Sequence, residues 1–368
     1  MGARRSLRPE PNGVTHIPLT PAPLFIKAKD VAALAKALQS ATTDDAGSSL
    51  AVSMGPALDG NVVALVKNLT GKEQKGTLAI EKTKIDYDIA PAAEKQISIP
   101  GANQGCEFGK MYRWNNDFTI RPAKGPLFES QWEMDYFFVP KCDGMPDWGK
   151  IPAIPMHNRH VGKDIKAGYK GDLEATFKVA WDKENLYLHV EAEDDQFLTF
   201  PEKWEKGGAE TQLWEHDGSL EVYFDCGANG RSNLSKTYDN DDYRYDFSLG
   251  KDGQSGPGMV NRYREVNWQL AGGANMPTKE QAAKGINCDF QRTEKGYSYT
   301  IVLAQKYIDP IVLRQGFVAG FALYLHDKDI QDGKVVWKGL DTATEPGSHC
   351  DYKPHLWPLM MLSEKSVE

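Results

Sequence analysis

From about residue 50 onward, the apolar residues of this chain fall at every second position in short runs, and almost nowhere at the three-to-four spacing of a helix. In "ATFKVAWD", Phe177, Val179 and Trp181 alternate with Thr176, Lys178 and Ala180; Tyr297, Tyr299, Ile301 and Leu303 repeat the pattern further on. A period of two sends successive side chains to opposite faces of a strand, so each run can bury one face and offer the other to solvent or to a ligand. Breaks rich in Gly, Pro and Asn separate the runs at close intervals. That spacing fits antiparallel sheets stacked face to face, not a parallel sheet with helical crossovers. The fold class that follows is all-β.

The runs fall into two groups. "VVALVKNLTG", "GTLAI", "KIDYDIA" and "KQISIPG" predict a small immunoglobulin-like β-sandwich over residues 46–123. "RPAKGP" at 121–126 is a seam, after which aromatic density rises and strands resume with "FFVPK", "ATFKVAWD", "NLYLHVEAED", "SLEVYFD", "YRYDFSLG", "YSYTIVLA", "FVAGFALYLHD" and "KVVWKGL". These predict a second, larger antiparallel sandwich of jelly-roll type over 124–368. Ahead of both, residues 1–45 form an N-terminal extension. It holds a proline-interrupted extended segment, "VTHIPLTPAPLFI", and then "KDVAALAKALQSA", where Val31, Leu34 and Leu38 at helical spacing behind Asp30 predict a short helix.

Charge narrows the partners. A net charge of -8 argues against a nucleic-acid surface, which draws its affinity from clustered Lys and Arg, and favours a neutral or cationic ligand. No stretch approaches the roughly 18 consecutive apolar residues of a membrane span. The basic start "MGARRSLRPEPNG" is followed by no apolar h-region, so no secretory signal is visible. Cys106, Cys142, Cys226, Cys288 and Cys350 stand far apart without a C-x-x-C pair, which argues against a zinc cluster or a redox dithiol and leaves their disulfide state open.

No G-x-S-x-G elbow, H-E-x-x-H, Walker loop or strand-linked G-x-G-x-x-G occurs, and no catalytic residue is assigned. His157 and His160 in "HNRH" lack a third ligand at matching spacing. "YDNDDYRYD" at 238–246 is rich in the oxygens calcium prefers but lacks the glycine of an EF-hand loop. The stretch "QLWEHDGSLEVYFDCG" at 212–227 says more. Leu220, Val222 and Phe224 share one strand face and Glu221, Tyr223 and Asp225 the other, while Trp214 sits among Glu215, His216 and Asp217 with no core to enter. Glu221 and Asp225 lie about 13 Å apart along the strand, too far for the roughly 5 Å of a retaining glycosidase. An aromatic ring beside a carboxylate instead suits a sugar, whose C–H face stacks on the ring while its hydroxyls need fixed polar partners.

The order "DGMPDWGKIPAI", "ATFKVAWDKENLYLHVEAEDD", "WEHDGSLEVYFD", "DNDDYRYDFS", "GYSYTIVLA" and "GFALYLHDKD" resembles the family 9 carbohydrate-binding modules, DOMON-like β-sandwiches often attached to xylanases and other secreted glycosidases. The resemblance covers roughly residues 126–362. It implies that Trp214 is one of two tryptophans that clamp a terminal sugar, that Glu221 accepts hydrogen bonds from sugar hydroxyls, and that Tyr324 and Arg244 line the site. Where the second tryptophan would fall, this sequence has "GSHCDY" with His349. A structural calcium ion held by Asp143 and Asp194 is implied as well. More loosely, the first third resembles the all-β accessory domain that follows the barrel in some glycosidases. The function that follows is non-catalytic binding of an oligo- or polysaccharide, as the accessory C-terminal part of a modular glycoside hydrolase in an extracellular or periplasmic setting, with a catalytic domain in the same parent protein as partner. Two alternatives stand beside it: a glycoside hydrolase or polysaccharide lyase in its own right, and a structural cell-surface sandwich that has lost the sugar site.

Overall fold

The computed structural model describes residues 49–80, 82–124, 127–161, 173–198, 217–228, 241–248, 256–257, 259–263, 286–308, 311–344, 350 and 353–367, with backbone alone at 159–161, 256–263 and 331. The extended segment and helix predicted within 1–45 lie outside these residues. The described part falls in one compact unit from Asp45 to Glu368.

The N-terminal strands are β1 (Leu50–Pro56), β2 (Val62–Asn68), β3 (Gln74–Ile80), β4 (Thr83–Ile89), β5 (Glu94–Ser98), β6 (Tyr112–Pro122) and β7 (Phe128–Lys141). There follow β8 (Ile154–Met156), β9 (Asn158–Val161), β10 (Leu173–Trp181), β11 (Asn185–Asp194), β12 (Leu220–Asp225), β13 (Asp242–Ser248), β14 (Gly256–Pro257) and β15 (Met259–Tyr263). The last are β16 (Asn287–Arg292), β17 (Gly296–Ala304), β18 (Val318–Gln331), β19 (Lys334–Asp341) and β20 (Leu359–Ser366). From β1 onward the helical elements among the described residues are two single turns of 3-10 type, Gln305–Tyr307 and Pro354–Leu356. The all-β expectation holds.

In the first sandwich, β1, β2 and β5 form one antiparallel sheet, facing a sheet of β4, β3, β6 and β7. Val62, Ala64 and Val66 alternate inward from β2 and meet Leu78, Ile80, Trp114 and Ile120. Asn68 is buried at the end of β2, where its amide donates to the carbonyls of Lys72, Ile89 and Ala90 at 2.7, 3.1 and 2.9 Å. A polar group out of water is tolerable when its hydrogen bonds are made, and this one ties the β2–β3 turn to the end of β4. The seam read at 121–126 falls at the turn between β6 and β7.

β7 serves both sandwiches. Its first half pairs with β6, its second half pairs in parallel with β20, and it reaches β10 at Lys141. Period two divides its side chains: Tyr136 and Phe138 enter the first core, Phe137 and Val139 the second. In the second sandwich, β8, β10, β11, β17, β16 and β14 form one antiparallel sheet. The other runs β15, β13, β12, β18, β19, β9. Phe177, Val179, Trp181, Leu188, Tyr299 and Ile301 from the first meet Leu220, Val222, Phe224, Phe321, Leu323 and Leu325 from the second. Phe137 packs edge-on against Phe177, and Phe224 against Phe321, with ring centroids 5.5 and 5.6 Å apart. Trp181 is wholly in this core, its indole N–H donating to the Ser363 carbonyl at 3.0 Å.

Candidate functional site

β12 lies between β13 and β18, so the face it turns away from the core is shared with both neighbours. Across the ladders, Glu221 stands opposite Asp246 and Tyr324, and Tyr223 opposite Arg244 and Ala322. Tyr324 is in turn opposite Asp341, and Asp341 opposite Asn158. A row of polar side chains thus crosses the sheet from β9 to β13. On sequence grounds this face was left open, but the structure buries it: Glu221 is 3% exposed, Asp225 1% and Asp246 0%. Part of the cover is a flap that no alternating pattern reveals. Ala343, Cys350, Leu356 and Trp357, which follow β19, pack over Tyr223, Ala322 and Tyr324.

The flap is fixed at several points. The Asp341 carboxylate accepts the N–H groups of Ala343 and Cys350 at 2.8 and 3.0 Å and the Asn158 amide at 2.7 Å. Trp357 donates its indole N–H to the Cys350 carbonyl at 2.8 Å, and its ring lies 5.2 Å from that of Tyr223. From the first sandwich, Arg113 binds Asp135 with two 2.8 Å bonds and donates to the Thr344 carbonyl at 2.6 Å. Gly339 matters for a different reason: a Cβ there would collide with the Tyr324 hydroxyl, so only glycine lets that ring lie across β19.

At the centre is a charged cluster. Arg244 reaches Glu221 at 3.3 Å and Asp246 at 2.8 Å, His326 Nε2 lies 3.1 Å from Glu221, and the Tyr223 hydroxyl donates to the Glu221 carboxylate. Burial by itself would raise the Glu221 pKa; the charges of His326 and Arg244 override it and hold the carboxyl down at about 2. Glu221 is therefore a fixed anion at neutral pH. Burial, with nearby Cys350 and Glu221, pushes the Tyr324 phenol well up, so that it stays a neutral hydroxyl. Arg244, His326 and Tyr324 keep 8%, 6% and 5% exposure at the outer side of the cluster. The set offers acceptors, donors and aromatic rings at one place, which suits a neutral polyhydroxylated ligand. Glu221, held as an anion, is an acceptor in this set and not a proton donor.

Of the residues expected from sequence, Glu221, Arg244 and Tyr324 come together here, whereas Trp214 and His349 lie outside the described residues. Asp143 is exposed on the loop after β7. Asp194, at the end of β11, meets Asp327 and Asp329 of β18, with carboxylate oxygens within 4.8 Å of one another. Three carboxylates suit a hard divalent cation, although the Lys338 ammonium already lies against Asp329 and 3.8 Å from Asp327. Nearby Asp217 accepts the N–H groups of Leu198 and Lys328, and burial, with Asp194, pushes its carboxyl up to about 8. Of the "YDNDDYRYD" stretch, Asp241 to Asp246 are described. Sequence reasoning missed His326, Asp246 and Trp357. His326 was within reach, being two positions beyond Tyr324 and so on the same face.

Residues 142–348 match the carbohydrate family 9 binding domain-like family. No curated protein matches the chain. Among solved structures, a carbohydrate binding module family 9 from Caldicellulosiruptor kristjanssonii in complex with cellotriose covers 62% of this chain and 94% of its own, with 14% identity and a TM-score of 0.41. A family 9 module from the same organism in complex with glucose covers 63% and 98%, with 14% identity and a TM-score of 0.42.

Proposed function

Because the chain belongs to the carbohydrate family 9 binding domain-like family, we propose that it binds a neutral oligo- or polysaccharide at the rim of the β12, β13 and β18 cluster, where Arg244, His326 and Tyr324 keep their exposure, without cleaving it. The observation that carries this reading is the buried Glu221–Arg244–His326 cluster beside Tyr223, Tyr324 and Trp357. Taking charges out of water costs several kcal/mol per ion, and apolar residues of similar size would often serve a fold as well or better. A sandwich that already has an apolar core on the other side of the same strands has no structural need of such a cluster. Binding supplies the need: Glu221 accepts from sugar hydroxyls, Arg244 and His326 donate, and an aromatic face takes the C–H side of the ring. Trp214 is the aromatic platform this reading carries over from the family. Among the described residues Glu221, Asp246, Asp225, Asp242 and Asp341 outnumber Arg244 and Lys328 on this face, which disfavours polyanionic sugars.

Calcium is proposed at Asp194, Asp327 and Asp329, with Lys338 displaced when the ion enters; Asp143 does not join that group. The accessory role in a modular, exported glycoside hydrolase belongs to the same proposal and is tested by reading the coding sequence on either side of this chain for a catalytic barrel. Calorimetric titration with gluco-, xylo- and galacto-oligosaccharides tests the binding itself. Saturable heat with at least one series is expected, with no new reducing ends after long incubation. Silence across all three at millimolar sugar leaves the structural sandwich as the better reading, and release of reducing ends leaves the enzyme.

A further inference from the structure

Beyond the cluster, β18 and β19 continue as a hairpin whose two faces are inverted relative to an ordinary strand pair. The turn is tight, with Asp332 and Gly333 both at positive φ, 50° and 74°, as a two-residue Asp-Gly hairpin requires. Register places Tyr324 opposite Asp341, His326 opposite Gly339, Lys328 opposite Trp337 and Ile330 opposite Val335. Period two puts all eight on the face that carries the site. The opposite face turns Asp327, Asp329 and Lys338 inward, and all three are buried. Charges therefore point in on that side, while on the site face Trp337, Val335 and Ile330 are 38%, 46% and 52% exposed and Lys328, opposite Trp337, is buried with its ammonium against the Trp337 ring. An exposed apolar strip on a hairpin invites unwanted association, and strand edges are ordinarily blunted with charge. A local reversal of pattern of this kind marks function more often than folding.

We infer that this hairpin face is a second subsite of the carbohydrate site, in which Trp337 is the platform for a sugar unit beyond the one bound at Glu221. The inference rests on the carbohydrate reading above. Trp337 shares strands and face with Tyr324 and His326, so a saccharide chain held at the exposed rim of the cluster can extend over the indole, which is the accessible ring of that row. The Lys328 ammonium sits 3.6 Å from the centroid of the Trp337 ring and fixes the indole from one side, as a cation over an aromatic face does. With about 3.3 Å of rise per residue and about 4.8 Å between strands, Trp337 lies roughly 16 Å from Glu221. One sugar ring cannot bridge that distance, whereas a short oligosaccharide can. The apolar side chains of Val335 and Ile330 extend the strip toward the turn.

The test is calorimetric titration of the full chain with glucose and with cello- and xylo-oligosaccharides of one to five units, alongside Trp337→Ala, Trp337→Tyr and Trp337→Leu. Thermal melts and sedimentation velocity are run on each. In the wild type, affinity rises at least tenfold between the monosaccharide and the longest binder. Trp337→Ala loses most of that gain while keeping monosaccharide affinity, and Trp337→Tyr, which keeps an aromatic face, restores much of it. Equal affinity for short and long sugars overturns the inference and leaves the primary site standing. So does a long-chain affinity unchanged in Trp337→Ala. If that variant melts early and loses short and long ligands alike, Trp337→Leu, which keeps apolar bulk without an aromatic face, decides: an undiminished gain with length in that variant overturns the subsite. Self-association of the wild type that Trp337→Ala abolishes assigns the strip to a second copy of the chain instead. Failure of every sugar to bind removes the primary site, and the subsite with it.

Discussion

The two sandwiches solve the same problem in opposite ways on their outer faces. In the first, β3 and β4 put Lys75 opposite Asp88 and Thr77 opposite Asp86, bonded at 2.8 and 3.0 Å, with the Lys75 and Asp88 side chains half exposed to solvent. In the second, β12, β13 and β18 place Glu221, Arg244 and His326 in contacts of similar length, but in a face nearly closed to water. The pairing chemistry is alike, and burial changes its meaning. A solvated pair can be removed at little cost because water replaces the partner. A buried one leaves an uncompensated charge behind. The first face keeps a sheet in solution; the second holds charged groups in fixed positions out of water.

The largest difference should appear on deleting one carboxylate from each face. Glu221→Ala leaves Arg244 and His326 without their shared anion and should destabilise the fold by about 3 to 5 kcal/mol, with sugar binding abolished. Asp88→Ala should leave the denaturation midpoint unchanged. Equal midpoint shifts from paired urea titrations would break the contrast between the faces.

Acid sharpens the comparison further. The folded pKa of Glu221 is depressed to about 2 from an ordinary value of 4.5, so its ionised form stabilises the fold at any pH above 4.5. That contribution is lost as pH falls from about 4.5 through about 2. Stability measured over this range should decline steeply in the wild type and more gently in Glu221→Gln. Parallel curves would show that Glu221 titrates normally.

A smaller effect belongs to the cation site. If Asp194, Asp327 and Asp329 hold calcium, millimolar calcium should raise the melting temperature by a few degrees, in line with about 2 to 3 kcal/mol at a hundredfold excess over the dissociation constant. EDTA should reverse it, and an Asp327→Asn variant should not respond. A melt indifferent to calcium leaves Lys338, not a metal ion, as the cation at Asp327 and Asp329. The smallest expected change is that of Lys75→Ala on the first sandwich, which should alter neither melting nor binding.

Alternation made much of this legible in the sequence. The inward positions of Val222, Phe224, Trp181 and Tyr299 follow from period two, and so does the common face of Glu221 and Tyr223. Alternation cannot say whether the second face is wet. The flap that dries it reaches across the sequence to Ala343, Cys350 and Trp357, held by Asp341 and by Arg113 of the other sandwich. Nor could spacing bring Asp194 to Asp327 and Asp329, which meet because β11 and β18 end at the same end of the sandwich. Local pattern fixes which way a side chain points. Only the packing of distant strands decides what it meets.

The most direct measurement is a calorimetric titration of the wild type and of Glu221→Gln, shown by its melt to be folded, against the oligosaccharide series that binds best. The predicted result is saturable binding by the wild type and affinity at least tenfold weaker in the variant, which keeps the shape of Glu221 but not its charge. Identical affinities would contradict the assignment of the site, and no binding by the wild type to any series would contradict carbohydrate recognition altogether.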